Sequence, residues 1–288
     1  MSQYSSTRKL TSTIKFINHP KIYIILLITA IFTLGYFYAS FIGHSVSLTY
    51  HLQFSLSQCG ETVPPNEVRS TILTAFYDDI SPYQDFPPAH LAHLLKPKRL
   101  EGWGSKDVVF ANLIEKTRPQ TILEIGTFLG ASATHMANLT RGLKLETQIL
   151  CLDDFRGWAG FRGNFKSFPI QNGNVMLLQQ FMQNVITLNL SETIIPVPFS
   201  TSSGLDRLCK LGILADLIEI DAAHDFHSVW DDINRAYRLL RPGGVMFGHD
   251  YFNLVDDYGV KRAVDLFAKL HGFKVTTSKQ HWIIDVFA

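Results

Sequence analysis

The sequence is short of acid at its start, of cysteine throughout and of charge overall. No Asp or Glu precedes Glu61, although the 288 residues include 25 of them. The same stretch holds Arg8, Lys9, Lys15 and Lys21, so a formal net charge of +1 conceals a basic start and a body of 22 basic and 25 acidic residues, net −3. A body without basic excess excludes the electrostatic footprint of a nucleic-acid binder. Three cysteines, Cys59, Cys151 and Cys209, are too few and too scattered for a disulfide framework or a zinc-ligand spacing. Cys151, in the middle of an apolar run, reads as an inert core thiol. Charged residues are 18% of the chain, below the roughly 25% usual in soluble domains. A Walker-type Gly-Lys-Ser/Thr and the dinucleotide fingerprint are both missing, which excludes two common ways of cradling phosphates.

One cause of the low charge is Ile22 to Ile42, a run of 21 uncharged, mostly apolar residues. As a helix it would span about 31 Å at ~1.5 Å per residue, enough for a bilayer core. Tyr23, Tyr36 and Tyr38 lie toward its ends, where amphipathic rings favour the interface. All four early basic residues precede the run and none follows before Arg69, so the positive-inside rule predicts a cytosolic tail over 1–21, a signal anchor over 22–42, and a lumenal or external body. A cleaved signal peptide and an organelle transit segment compete with this reading; the first has a shorter apolar core, the second no long apolar run. Residues 43–105, punctuated by Pro64, Pro65, Pro82, Pro87, Pro88 and Pro97, read as a spacer or cap in which Val68 to Tyr77 could form a helix. Two N-glycosylation triplets occur, Asn138-Leu-Thr140 and Asn189-Leu-Ser191.

From residue 106 to 288 strand and helix patterns alternate. Strands are predicted at 121–126, 148–153, 194–199, 216–221 and 245–249, with helices at 107–115, 132–139, 175–188, 226–240 and 260–270, and a closing hairpin at 273–287. Pro196 and Pro198 put the third strand at the sheet edge, and Arg241-Pro-Gly-Gly244 reads as a helix stop. The fold class is therefore α/β, a doubly wound, mainly parallel sheet with an antiparallel addition, preceded by one transmembrane helix. Ligands of such sheets bind beyond the C-terminal strand ends, where this sequence places Gly126, Asp153, Phe199, Asp221 and Asp250.

The first turn reads Glu124-Ile-Gly126-Thr-Phe-Leu-Gly130-Ala-Ser132. Phe128 stands where the dinucleotide motif needs glycine, so a ligand without phosphates fits better. Asp153 is placed to accept hydrogen bonds from two ribose hydroxyls, and Asp154 could replace it. With Leu-Arg-Pro-Gly-Gly before the fifth strand, this ensemble resembles class I S-adenosylmethionine-dependent methyltransferases over about residues 106–288. Asp216-Leu-Ile-Glu-Ile-Asp-Ala-Ala-His-Asp-Phe226 with Gly248-His-Asp-Tyr251 is similar to small-molecule O-methyltransferases of the macrocin sugar type and, more distantly, to the catechol and caffeoyl-CoA type. The whole chain resembles a plant group of membrane-anchored methyltransferase-like proteins. The resemblance implies a seven-stranded Rossmann-like sheet, with S-adenosylmethionine lined by Glu124, Gly126, Gly130, Ser132 and Asp153, and with Ser200 and Thr201 near the adenine.

Methyl transfer from a sulfonium requires alignment of the acceptor and removal of its proton. Asp221 and Asp250 end neighbouring strands, so their carboxylates can converge on a hard cation. In the resembling families they fall on metal-ligand positions, and His224 falls on the position of the catalytic base. The usual third ligand stands beside the Asp250 position, where this chain has His249 and Tyr251. His249 is taken as the third ligand; a histidine shifts preference from magnesium toward manganese, iron or zinc, so both a magnesium or manganese ion here and a site without metal stay open. Glu219 reads as a buried carboxylate with a hydrogen-bond partner, and the aromatic segment 155–163 as an acceptor lid or a structural loop. The expected activity is O-methylation of a small-molecule or sugar hydroxyl, catalysed by His224 and Asp221 in the lumen of the Golgi or ER. The alternative is a non-catalytic, membrane-tethered interaction protein on the same fold.

Overall fold

The computed structural model describes residues 29–38, 58–158 and 160–286. The chain divides into two compact units, Met1–Ser57 and Gln58–Ala288. In the first, residues 29–38 form a helix (α1) with Phe32, Leu34 and Phe37 exposed. Most of the expected 22–42 span lies outside the described residues, among which no helix is long and apolar enough to cross a membrane.

The second unit is built on a seven-stranded sheet in the order β5-β2-β1-β6-β7-β9-β8. Its strands are β1 (Thr121–Ile125), β2 (Gln148–Leu152), β5 (Ile194–Val197), β6 (Ala215–Ile220), β7 (Leu240–Gly248), β8 (Val275–Ser278) and β9 (His281–Asp285). The first five in that order run parallel, and β9 and β8 add antiparallel. β1 and β2 are buried at every position, as apolar strands covered on both faces should be. β5 is an edge strand, where its Pro196 removes no interior ladder bond.

Helices α3 (Val108–Thr117), α4 (Ala131–Gly142) and α6 (Leu177–Thr187) bury Phe110, Met136, Phe181 and Val185 in one cluster with Ile122, Cys151, Leu217 and Phe247 of the sheet. Helices α7 (Thr201–Lys210), α8 (Phe226–Tyr237) and α9 (Gly259–His271) pack in sequence on one another, and α8 lies against β6 and β7. In α8 the 3.6-residue period puts Val229, Ile233 and Ala236 inside, and the Asp225 side chain caps its start by accepting from Ser228 N at 3.0 Å. Sheet order reverses between β1 and β6, so their adjacent ends define the crevice.

Three local features differ from the sequence reading, and of the spacer and cap readings of 43–105 the described part takes the cap, with its helix at Val68–Tyr77. Arg241-Pro-Gly-Gly244 does not stop α8, which ends at Tyr237; it lies inside β7, where a register shift opposite Ala215 to Leu217 absorbs the two glycines. A small hairpin, β3 (Ile170–Gln171) with β4 (Asn174–Val175), follows the one-turn helix α5 (Phe161–Asn164) and turns on Asn172-Gly173, both at positive φ. Cys59 and Cys209 form a disulfide despite 150 residues of separation. Residues 58–105 belong to the same compact unit as the sheet and are held to it along their length.

That attachment is made of specific bonds. Helix α2 (Val68–Tyr77) follows the disulfide. Arg69 donates to Ser191 O (2.9 Å) and Tyr77 Oη to Pro196 O (2.8 Å), binding α2 to both ends of the β5 edge. Farther on, the fully buried amide of Asn184 donates to Arg99 O (2.6 Å) and Leu129 O (3.0 Å), and accepts from Arg99 N (2.8 Å). Asn184→Leu leaves those backbone groups unpaired in the interior, with an expected loss of roughly 2–3 kcal/mol. Chemical denaturation checks it; an unchanged midpoint would show that this strap is held some other way.

Candidate active site

The turn after β1 is tied down from two sides. Below it, Glu124 accepts from Thr127 Oγ1 (2.7 Å) and Ser132 Oγ (2.5 Å). Beside it, Asp153 Oδ2 accepts from Thr127 N (2.9 Å) and Phe128 N (2.8 Å), while Oδ1 accepts from Phe155 N (2.7 Å). Gly126 stands at φ +89°, and a Cβ there would lie 2.1 Å from Asp221 O, so only glycine lets β1 and β6 end this close together. Phe128 itself sits at φ +51°, an uncommon conformation for a bulky residue and one concentrated at functional sites. Its ring stacks on Trp103 (6.0 Å, 24°) and meets Trp158 (5.5 Å) and Phe165 (5.3 Å). Trp103 is 60% exposed and Trp158 45%, so this aromatic cluster forms an open wall above the turn.

Asp153 was expected at a ribose. With three backbone donors, its two oxygens shape the turn and keep about one free acceptor position. Asp154, exposed and with Oδ1 accepting from Arg156 N (2.9 Å), is the freer carboxylate. Ser200 stands at the N-cap of α7 with its hydroxyl on Ser203 Oγ (3.0 Å), and Thr201 opens that helix; both follow β5, two strands from the turn.

At the ends of β6 and β7 the side chains of Asp221, His224 and Asp250 each offer a ligand atom, all within 4.8 Å of one another and half-buried. His224 Nε2 lies 2.9 Å from Asp250 Oδ2 and 3.8 Å from Asp221 Oδ1. Hydrogen bonding to Asp221 and then Asp250 pushes the imidazole pKa up to about 10. Burial opposes ionisation of Asp250, yet the His224 and His249 imidazoles hold its carboxyl far below the usual range. Asn253 Nδ2 donates to Asp250 Oδ1 (3.0 Å) and fixes the carboxylate from the outside. Asp250 too has a positive φ, +58°.

The side chain that the fold brings nearest the two carboxylates is His224, while His249, expected as the third ligand, lies behind them. His249 continues β7 and is buried behind Asp250, its Nδ1 3.4 Å from Asp250 Oδ2 without a hydrogen bond. It packs edge-on against His281 (4.7 Å), and a Cβ on Gly104 would come within 2.6 Å of its Nε2. Glu219, expected to have a partner, has Oε2 buried without one. It faces Glu124 across β1 and β6, and burial, then that neighbour, then Asp221 raise its pKa well above the carboxylate range. Glu124 is pushed up to about 7 by burial, against the pull of the Ser132 and Thr127 hydroxyls. Two adjacent buried carboxyls avoid double ionisation in this way. Sequence reading missed Trp103, Gly104 and Asn253: the first two arrive on a strap remote from the sheet, and a lone asparagine after an aspartate carries no signal.

The two converging carboxylates suit a divalent cation, with the imidazole beside them, and among the described residues no lysine or arginine is buried. A family model described as a methyltransferase domain matches residues 123–251, from within β1 to just beyond Asp250. Among solved structures, the chain is similar to the O-methyltransferase from Bacillus cereus in complex with SAH (18% identity, 76% of this chain and 96% of that chain, TM-score 0.46). It is also similar to the O-methyltransferase TomG from Streptomyces achromogenes in complex with SAM (13% identity, 84% and 96%, TM-score 0.45). A further similar structure is cofactor-bound Rv0187 from MTB (18% identity, 78% and 99%, TM-score 0.45). Comparison with curated proteins gives no match.

Proposed function

We propose that this chain is a membrane-anchored, S-adenosylmethionine-dependent O-methyltransferase of a small-molecule or sugar hydroxyl. The observation that carries the reading is the convergence of Asp221, His224 and Asp250 beside a glycine turn at the reversal point of the sheet. The cofactor supplies an already activated methyl group, and a divalent cation on the Asp221 and Asp250 carboxylates would lower the pKa of the acceptor hydroxyl, with His224 beside it as the base. The chain supplies alignment and proton handling. The turn held by Glu124 and Asp153 presents backbone toward the cofactor side, with Ser132 and Asp154 at its edges. Trp103, Phe128 and Trp158 offer flat apolar faces that orient an acceptor ring and displace water from it. His224 Nε2 is the atom that takes the acceptor's proton, once it has given up the proton it holds between the two carboxylates.

A separate cavity of about 450 Å³ lies beside Asp154, between the β3–β4 hairpin and α6, and is not lined by Trp103, Phe128, Asp221, His224 or Asp250. Gln171, Asn172, Asn174 and Gln179 line it with amides that both donate and accept, the complement of closely spaced hydroxyls. An anchor over 22–42 is supported by the uncharged run and the exposed apolar helix within it. A lumenal body in the Golgi or ER is supported by the Cys59–Cys209 disulfide, since such bonds persist in oxidising compartments.

Calorimetry on the full chain in detergent tests the cofactor: micromolar-range binding of S-adenosylmethionine or its demethylated product is expected, and absence of binding to both removes the reading. Chelation by EDTA is expected to abolish turnover, with recovery on adding magnesium or manganese. Undiminished turnover in EDTA would take the cation out of the proposal and leave His224 as the base. Binding without transfer to any acceptor, in a screen with labelled cofactor, would favour the non-catalytic alternative.

A further inference from the structure

We infer that Asn189 is the N-glycosylated residue of this protein and that Asn138 is not. The inference rests on the lumenal reading above and goes beyond it by assigning a modification site. Asn189-Leu-Ser191 forms the turn between α6 and β5. Asn189 is exposed, stands at φ +54°, a conformation asparagine tolerates better than most residues, and its side-chain amide makes no hydrogen bond among the described residues. The turn is held by backbone instead: Asn189 N donates to Ile186 O (2.9 Å), Leu190 N to Val185 O (3.0 Å), and Ser191 O accepts from Arg69. A large substituent on Nδ2 therefore disturbs no bond of the fold. The turn also lies at the starting end of β5, whereas the site lies beyond the strands' far ends, so a glycan there leaves the site open.

Asn138-Leu-Thr140 is also exposed at its asparagine but differs in its bonding. It lies inside α4, where Asn138 Nδ2 donates to Thr134 O (2.8 Å) and Oδ1 accepts from Arg141 (2.6 Å). Thr140 is buried, with its hydroxyl on Ala137 O (3.1 Å). Asn138 also borders a cleft shared with Ala111 and Glu115 of α3, into which a glycan would push.

The chemistry is transfer of an oligosaccharide from a polyprenyl-diphosphate-linked donor. A bond forms between Asn189 Nδ2 and the anomeric carbon, the bond from that carbon to the diphosphate oxygen breaks, and the amide proton leaves with the lipid diphosphate.

The test uses the full chain made in a eukaryotic secretory host, denatured and treated with peptide N-glycosidase F, with maleimide labelling before reduction as a second readout. Wild type and Asn138→Gln should shift down by one glycan. Asn189→Gln and Ser191→Ala, which breaks the triplet but keeps Asn189, should lose the shift entirely. Only Cys151 should react with maleimide, and cofactor binding should match wild type in all variants. A shift that survives both Asn189→Gln and Ser191→Ala, or one lost in Asn138→Gln, overturns the assignment. No shift with Cys59 and Cys209 protected overturns the glycan while leaving the lumenal reading standing. No shift with all three cysteines reactive overturns both.

Discussion

His224→Ala is expected to lower the turnover number for methyl transfer by ~10²–10⁴-fold, the usual contribution of a positioned acid–base group, with cofactor affinity unchanged. The split follows from geometry: His224 stands over the carboxylates at the β6 and β7 ends, whereas the hydrogen bonds that hold the turn after β1 come from Glu124 and Asp153. The same residue predicts a pH effect in the cation-free protein. Its folded pKa, about 10, lies above the unfolded value of ~6.5. The paired imidazolium therefore stabilises the fold fully below ~6.5, and that contribution fades as pH rises through about 10. The stability gap between wild type and His224→Ala should accordingly shrink across that window in thermal scans with EDTA present. A gap constant from pH 6 to 10 would show that the imidazole is not held by the two carboxylates, and full turnover in the variant would remove it from the mechanism.

How far the sequence foretold this site depends on the kind of contact involved. The parallel strands were legible because a strand covered on both faces is apolar at consecutive positions and ends abruptly in glycine or aspartate, as Ile122 to Gly126 and Leu217 to Asp221 do. That rule placed Asp221 and Asp250 side by side without coordinates. It took His249 as the third ligand and His224 as the base, without sight of the path of the chain after β6, which brings His224 back over Asp250 while β7 carries His249 into the interior. Nor did it show the backbone contacts of Asp153: the acid at the end of β2 accepts from N–H groups of the turn after β1, a contact with no side-chain signature. The strap over 58–105 is held by backbone groups and by Asn184 and Gln180, buried amides of α6 whose partners lie some 85 residues away in sequence. The hairpin at Asn172-Gly173 carried a clear turn signal, but its two-residue strands are too short to show alternation.

Breaking the Cys59–Cys209 disulfide, by Cys59→Ser or by reductant, is expected to destabilise the 58–288 unit by roughly 2–5 kcal/mol, because it closes a loop of 150 residues in the unfolded chain. The loss should be local in its first consequence. Gly60 N donates to Cys209 O (2.9 Å) and Val63 N to Gly212 O (2.9 Å), and these are the backbone bonds that hold the segment before α2. From Arg69 onward the strap has its own attachments at Ser191, Pro196 and Asn184. Hydrogen exchange should therefore show the amides of Gly60 and Val63 losing protection, while those of Arg99 and Phe128 keep theirs. Trp103 and Gly104, at the far end of the strap, should stay against Phe128 and His249, so turnover at temperatures well below the lowered Tm should be unaffected. Exchange spreading to the turn after β1 would instead mean that the strap is one cooperative element and that the bond holds the site itself. The first outcome makes the disulfide a stability device for an oxidising compartment, with catalysis insulated from it by Asn184; the second makes activity redox-dependent through the strap.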